Sequence, residues 1–266
     1  MVQKYNSCKV LVVGSTGMLG ENYIRMSSSF FNVIPTSSTN RNYEKLDITN
    51  SLDVSSVIMK HNPDIIINCS AYTGVDSAEK NKKEAYEINV IGLKNLIKHS
   101  LKSTKIVHIS SDYVFDGISG DYNEDSLPNP LNYYGRTKLE SENVLIGSLR
   151  NSLIFRINGL FDFNNINFLT WVYENLKNKN SINVVDDQYS NPVFAETFVN
   201  VINHSIALDL TGLYHFGSKD KISRYEFALR IASHYNLDQT LIKPINTHEL
   251  KQLANRPLNT NLICDK

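Results

Sequence analysis

In the N-terminal part of the chain, apolar residues gather into short unbroken runs separated by longer stretches of helical period. The runs are "CKVLVVG" (8–14), "NVIPT" (32–36), "DIIINCSA" (64–71), "KIVHISS" (105–111) and "SLIFRI" (152–157). They show little polar–apolar alternation, which is the pattern of strands covered on both faces. Between them, 17–28, 51–61, 79–100 and 133–147 carry helical spacing, and "EKLDIT" (44–49) reads as a short edge strand. Strand followed by helix, repeated, predicts an α/β fold of Rossmann type, a doubly wound parallel sheet with ligands at the carboxyl ends of its strands. After about residue 158 the pattern loosens into a helix at 166–178, short strands at 182–185 and 213–216, and helices at 195–208 and 223–235. The expected division is a sheet domain over 1–158 and a smaller C-terminal lobe over 159–266, with segments near 195–216 packing back on the sheet.

Composition narrows the function classes. The 266 residues are 41% hydrophobic and 20% charged, ordinary for a folded globular chain. Formal net charge is zero and the pI is near 7.0, so no overall field draws in nucleic acid or an anionic membrane, and an anionic ligand must be held by local groups. Met1 to Lys9 is polar and lacks the apolar stretch of a secretory leader, and no run approaches the roughly 18 apolar residues that span a bilayer. The cytoplasm is the expected address. Cys8, Cys69 and Cys264 are too scattered for a disulfide framework or a zinc motif, and the seven histidines show no ligand spacing. Reduced thiols, structural histidines and no metal site are expected.

Candidate chemistry begins at "VLVVGSTGMLGENYI", which sets Gly14, Gly17 and Gly20 after the first strand and across the start of the first helix. Gly14 and Gly17 let the backbone turn tightly and approach a pyrophosphate, whose charge a helix N-terminus favours, while Gly20 allows the helix to pack closely on the strand. The spacing is G-x-x-G-x-x-G, so its position after a strand carries the inference to a dinucleotide. Chains that bind NAD place an acidic residue after the second strand to hold the ribose 2′-hydroxyl. The stretch "PTSSTNRN" (35–42) has none. Ser37, Ser38, Thr39 and Arg41 would instead hydrogen-bond and neutralise a 2′-phosphate, so NADP(H) is expected to be preferred, with NAD(H) as the alternative.

A tyrosine followed four places later by lysine occurs three times, as Tyr5–Lys9, Tyr134–Lys138 and Tyr173–Lys177. Residues four apart share a face only on a helix. The first pair precedes or enters a strand, and the third lies in a helix away from the expected cofactor edge. In "LNYYGRTKLE" (131–140), Pro128 and Pro130 stop any earlier helix and the turn-prone "NPLN" puts Tyr134 in a first helical turn. A lysine ammonium one turn away and the helix N-terminus both stabilise a phenolate, so a lowered Tyr134 pKa is expected.

Nine stretches in order resemble blocks of the extended short-chain dehydrogenase/reductases, most closely the dTDP-4-dehydrorhamnose reductase family: "VVGSTGMLG", "LDITN", "PDIIINCSAYTGVDSAE", "INVIGLKNL", "HISSDYVFDG", "NPLNYYGRTKLESE", "DDQYSNPV", "GLYHFGS" and "RPLNTNL". The resemblance runs from about residue 8 to the C-terminus. It implies an NAD(P)-dependent oxidoreductase with a cofactor domain over 1–158 and a sugar-nucleotide-binding lobe over 159–266. The implied reaction is hydride transfer to the C4 ketone of a nucleotide-linked 4-keto-6-deoxy sugar, in nucleotide-sugar and surface polysaccharide biosynthesis. The family also suggests a homodimer.

Matched block by block, the resemblance makes Tyr134 the proton donor, Lys138 the cation that also bonds the nicotinamide ribose, and Ser111 the hydroxyl that polarises the carbonyl, where many members have Thr. Ser110 would lie near the nicotinamide. Cofactor contacts carried over are Gly14, Gly17, Met18, Leu19, Gly20, Asp47, Ile48, Ala71, Tyr72 and Lys138, with Arg41 and Asn89. Asp47 and Ile48 would bracket the adenine, unless Asp47 caps the helix that starts near residue 51. Substrate contacts carried over are Asp112, Val114, Phe115, Asn158, Gln188 and Arg256, the last as a cation for the diphosphate. Related sugar dehydratases typically carry an Asp-Glu pair where this chain has Asp112-Tyr113, so elimination loses its base. Departures fall in the substrate lobe: "RINGLFD" (156–162) stands where the family often reads RTSWVYG, and "DQYSNPV" (187–193) where DQxGxPT is usual. The sugar and the base therefore stay open. Two other readings stand beside reduction: an NAD-dependent sugar-nucleotide epimerase or dehydratase, and a non-catalytic nucleotide-binding regulatory subunit of a partner enzyme.

Overall fold

A computed structural model describes residues 7–266, so Tyr5 of the first tyrosine–lysine pair lies outside the described residues. In chain order the first elements are β1 (Lys9–Val13), α1 (Met18–Ser27), β2 (Asn32–Ser37), β3 (Glu44–Lys45), α2 (Ser51–His61), β4 (Ile65–Asn68), α3 (Val75–Lys80), α4 (Lys82–Tyr86), α5 (Gly92–His99), β5 (Lys105–Ser111), α6 (Tyr133–Gly147) and β6 (Ser152–Ile157). They continue as β7 (Leu160–Phe161), α7 (Phe168–Lys177), β8 (Ile182–Val185), β9 (Tyr189–Ser190), β10 (Val193–Phe194), α8 (Ala195–Ala207), β11 (Gly212–Phe216), β12 (Ile222–Ser223), α9 (Arg224–His234) and β13 (Ile242–Ile245).

Seven strands form one parallel sheet in the order β11-β6-β5-β4-β1-β2-β3. The chain order reverses between β1 and β4, so the loops leaving their carboxyl ends diverge and open a crevice there. Side chains of one strand point alternately to the two faces. Val10, Val12, Ile65, Ile67 and Phe155 pack under α1 and α8, while Leu11, Val13, Ile66, Ile106 and Ile154 pack under α2, α5 and α6. Both faces are covered, which is why these strands read as unbroken apolar runs.

Three predicted elements come out differently. The helix expected over 79–100 begins at Val75, breaks at Asn81 (φ −111°, ψ 51°) and passes through a π-turn over Glu87–Ile91 before α5. Asn89 in that turn is buried, accepting from the Tyr72 N–H at 2.7 Å and donating to Thr137 Oγ1 at 2.8 Å. The strand expected over 64–71 stops at Asn68, whose side chain accepts from the Ser70 N–H at 3.2 Å and bends the chain away. The edge strand expected over 44–49 shrinks to β3, because Asp47 turns back to accept from the Thr49 N–H at 2.9 Å and hydroxyl at 2.7 Å.

Beyond β6 the chain supplies two kinds of structure. Leu169, Val172 and Leu176 of α7 and Ala228, Ile231 and Ala232 of α9 close on β8 and β13 as a separate small core. In contrast, α8 packs on the sheet beside α1, where Arg25 and Glu196 pair at 2.6 Å, and β11 adds to the β6 edge. Residues 259–262 thread back beneath the carboxyl end of the sheet, with the Asn259 N–H donating to the Gly117 carbonyl and the Tyr122 N–H donating to the Asn261 carbonyl. Among the described residues, no helix is long and apolar enough to cross a membrane.

Candidate active site

β5 ends at Ser111, and a 3-10 turn over Asp112–Val114 reverses the chain while Ser111 Oγ accepts from the Tyr113 N–H at 3.1 Å. Opposite it, α6 starts at an Asn132 cap whose side chain accepts from the Gly135 N–H at 2.9 Å. Gly135 has no room for a side chain, since a Cβ there would run into the Tyr113 carbonyl. The first turn of α6 is thus pressed onto the turn after β5, and this close approach brings Tyr134 and Ser111 to the lining of one cavity. The rings of Tyr113 and Tyr134 meet edge-on, 5.9 Å between centroids. One turn along α6, Lys138 is buried with Nζ donating to the Ile109 carbonyl at 2.6 Å.

These groups line a cavity of about 610 Å³. Gly17, Met18, Leu19 and Ala71 form its sheet-domain wall, Ser110, Ser111, Asp112, Tyr134 and Lys138 its floor, and Asn158, Phe161, Phe168, Gln188 and Arg224 the far wall. The electrostatics differ from the sequence expectation. Tyr134 lies half-buried on this lining, and burial raises its pKa; Ser111 opposes the rise, while the charges of Asp112 and Tyr113 add to it. Desolvation therefore outweighs the acidification expected from Lys138. The lysine carries the opposite effect, pushed down to about 8 by burial with Glu142 pulling it back up.

Beneath the floor lies a second polar layer. Ser110 Oγ donates to Glu142, and Arg156 grips the same carboxylate through Nη2 at 2.7 Å and Nε at 3.0 Å. The Arg156 guanidinium also stacks over Phe115, 5.1 Å from the ring centroid. His108 sits between Asn68 and Ser141 and is held neutral, its pKa far below the usual value through burial and the Lys138 charge.

The glycine turn has the shape a pyrophosphate requires. Gly14 adopts φ +82°, and a Cβ there would come within 2.7 Å of the Ser70 nitrogen. Gly20 abuts the Gly14 carbonyl, whereas a Cβ at Gly17 would meet nothing nearer than 3.5 Å. Gly17 is the cap residue of α1 and gives it no side-chain hydrogen bond, leaving the first N–H groups of the helix for an anion.

Other expected contacts divide. Asp112, Asn158, Gln188, Ser110 and Ala71 line the cavity. Val114 and Phe115 do not: both are fully buried with Tyr122 and Leu262, because the 3-10 turn directs them inward, where Phe115 stacks on Tyr122 at 4.1 Å. Ile48 is likewise buried, beneath Gly92. Asn50, and not Asp47, caps α2, accepting from the N–H of Leu52 at 3.0 Å. Tyr72 and Asn89 lie outside the cavity lining and hold one another. Arg41 is exposed, in a loop where Ser37 Oγ accepts from the N–H groups of Thr39 and Asn40. Arg256 lines a neighbouring pocket of about 360 Å³, clamped by Asp76 at 3.0 Å and the Ala254 carbonyl at 2.9 Å. Lys177 lies over the Tyr173 ring at 5.3 Å, a packing pair far from these groups. Among the described residues, no cluster of three or more His, Cys, Asp or Glu could hold a metal.

Two contributors escaped sequence reasoning. Arg224 lines both pockets, donates to Gln188 Oε1 at 3.2 Å and stacks over Phe168. The S-x-x-E capping box at 223–226 marks the helix start that presents it. Thr260, from the returning C-terminal segment, accepts through its carbonyl at 2.9 Å from Asn158 Nδ2, the same amide that donates to Asp112 Oδ2 at 2.9 Å; no local pattern signals it.

The model of the RmlD substrate binding domain family matches residues 8–266. The chain belongs to that family. Within and around this RmlD family, it is 33% identical over 96% of its length to the dTDP-4-dehydrorhamnose reductase of Aggregatibacter actinomycetemcomitans, covering 90% of that protein. It is 30% identical over 97% of its length to methionine adenosyltransferase 2 subunit beta of Xenopus tropicalis, covering 81% of it. A crystal structure of dTDP-4-dehydrorhamnose reductase from Bacillus anthracis in complex with NADP superposes with a TM-score of 0.92 at 32% identity, over 97% of this chain and 91% of that one.

Proposed function

We propose that this protein reduces the C4 ketone of a nucleotide-linked 4-keto-6-deoxy sugar, using NADPH in preference to NADH, in the synthesis of a nucleotide sugar for polysaccharide. The observation that carries the reading is the meeting of Ser111, Tyr134 and Lys138 on the floor of a cavity that the glycine turn enters from one side. When bound, the nicotinamide supplies a hydride to the carbonyl carbon. The Ser111 and Tyr134 hydroxyls hold the carbonyl oxygen, and Tyr134 gives it a proton as negative charge develops there. Lys138 balances the phenolate left behind. Arg224, which lines both pockets, and Arg256, which lines the smaller one, hold the diphosphate of the sugar nucleotide. Tyr113 stands where a dehydratase would carry its second carboxylate, and it lines both pockets together with Arg224.

The test is nicotinamide absorbance followed over a panel of 4-keto sugar nucleotides. Wild type should consume NADPH, and Tyr134→Phe should lower kcat by about 10² to 10⁴, the usual worth of a positioned acid. An unchanged rate in the variant refutes the assignment. The likeness to a methionine adenosyltransferase subunit favours a second reading, nucleotide binding without turnover. Tight NADPH binding with no consumption on any sugar would select it.

A further inference from the structure

Two arginines line the smaller pocket, and their charges are met differently. Arg256 is paired with Asp76 at 3.0 Å, whereas among the described residues Arg224 forms no ion pair with a carboxylate. Its guanidinium stacks over the Phe168 ring, 5.4 Å from the centroid. An arginine side chain turns about several bonds, so a guanidinium that is to meet an anion in one place must be held there beforehand or lose affinity to its own ordering.

The bonds that hold it run away from the cavities. Arg224 Nε donates to Gln188 Oε1 at 3.2 Å, Gln188 Nε2 donates to Thr247 Oγ1 at 3.0 Å, and Thr247 Oγ1 donates to Asp187 Oδ1 at 2.6 Å. Gln188 lines both pockets, while Asp187 and Thr247 line neither. The direction of each bond follows from the far end of this row. An ionised carboxylate only accepts, so the Thr247 hydroxyl gives its one proton to Asp187 and turns a lone pair to Gln188. Gln188 must then offer its NH2 to Thr247, which leaves its oxygen for Arg224. A guanidinium only donates, so the reversed amide would set donor against donor.

Strand register brings the four residues together. β8 and β13 run parallel with Val185 opposite Ile245, and two residues beyond that pair the Thr247 N–H donates to both Asp187 oxygens at 3.0 Å. Ser223 of β12 stands opposite Tyr189 of β9, and the next N–H, that of Arg224, donates to the Gln188 carbonyl at 3.0 Å. With Nε tied to Gln188 and the guanidinium laid on Phe168, Nη1 and Nη2 carry the donors left for a ligand.

We propose, resting on the nucleotide-sugar reading above, that Asp187 and Thr247 are positioning residues: by fixing the Gln188 amide they hold the Arg224 guanidinium where it receives the diphosphate. Neither touches the substrate. Gln188 serves it through Arg224, since both ends of its amide are engaged within the wall.

Thr247→Val keeps the shape of the side chain and removes the hydroxyl. The probes are dTDP, UDP, CDP and GDP, titrated calorimetrically into protein saturated with NADPH, which needs no turnover. The diphosphate that wild type binds best should bind Thr247→Val about three- to tenfold more weakly, as expected for one neutral hydrogen bond. Thr247→Ser, which retains the hydroxyl, should regain wild-type affinity. In an Arg224→Ala background, Thr247→Val should cause no further loss. In steady state the KM for the sugar nucleotide should rise by the same factor, with kcat and the KM for NADPH unmoved. Unchanged diphosphate affinity in Thr247→Val overturns the proposal, whether or not thermal stability falls. So does an equal loss in the Arg224→Ala background, which marks a residue that shapes the pocket by itself, and so does a wild type that binds none of the four probes. Absence of NADPH consumption on every 4-keto sugar, beside an affinity lost in Thr247→Val and regained in Thr247→Ser, refutes the reduction and upholds the positioning.

Discussion

Glu142 and Arg156 pair at 2.7 Å with side-chain exposures of 1% and 5%, and among the described residues no other ion pair is as buried on both sides. Replacing Glu142 by Gln keeps the volume and one acceptor oxygen but removes the counter-charge, so the guanidinium remains in the interior with a neutral amide, His215 Nε2 at 3.5 Å and the Phe115 ring as its neighbours. Breaking such a pair from one side costs about 3–5 kcal/mol, and the acceptor oxygen that Gln keeps holds the loss to the lower end of that range. The expected loss is therefore about 3 kcal/mol, a large part of the ~5–15 kcal/mol that holds a domain folded. Urea unfolding at neutral pH measures it directly. The double replacement Glu142→Leu with Arg156→Met, which leaves no buried charge, should recover most of the loss. A second readout reaches the active site. Because Glu142 pulls the Lys138 pKa up toward about 8, its removal should drop that value, and the loss of kcat/KM on the alkaline side should move to lower pH. A stability loss below about 1 kcal/mol, or an unmoved alkaline limb, would refute the electrostatic account of this layer.

Two more expectations can be checked alongside. Arg224→Ala should raise the KM for the sugar nucleotide about tenfold or more, since hydrogen bonds to charged groups are worth ~1.5–3 kcal/mol, with kcat less affected; an unchanged KM would remove Arg224 from the diphosphate site. Lys138 in the folded protein titrates near 8 against 10.5 for its unfolded reference, so above pH 8 the unfolded chain binds more protons and folding gains stability as pH rises toward 10.5. The unfolding free energy of wild type relative to Lys138→Met should climb over that window, and a flat difference would contradict it.

The sheet was legible because its signals are local. The runs at 8–14, 105–111 and 152–157 are apolar for a reason each residue carries by itself, burial on one face or the other. The same holds for Tyr134, whose place in a first turn follows from Pro128, Pro130 and the Asn132 cap. What was misread depends on distant partners. Phe115 was carried over as a substrate contact with the "HISSDYVFDG" block, yet its neighbours are Tyr122 and Leu262. The Tyr134 pKa was expected to fall from the spacing to Lys138, and it rises because of burial among side chains that distant parts of the chain bring together. Thr260 shares the Asn158 amide with Asp112 across a separation that no periodicity encodes. The π-turn at Glu87–Ile91 is invisible as well, since its purpose, aiming Asn89 at Tyr72 and Thr137, is tertiary.

The return of α8 and β11 to the sheet bears on how such enzymes can be rebuilt. Phe155 packs edge-on against Phe198 of α8, and Ile157 is paired with Phe216 of β11. The α8 part of the hydrophobic cover on one face of the sheet is thus encoded downstream of β7 and α7, whose residues line the cavity. Grafting another sugar preference onto this scaffold by exchanging everything after the sixth strand would strip that cover along with the specificity surface. Recombination should succeed only for cassettes bounded by residues near 158 and 194 or near 217 and 258, which leave the borrowed helix and edge strand in place.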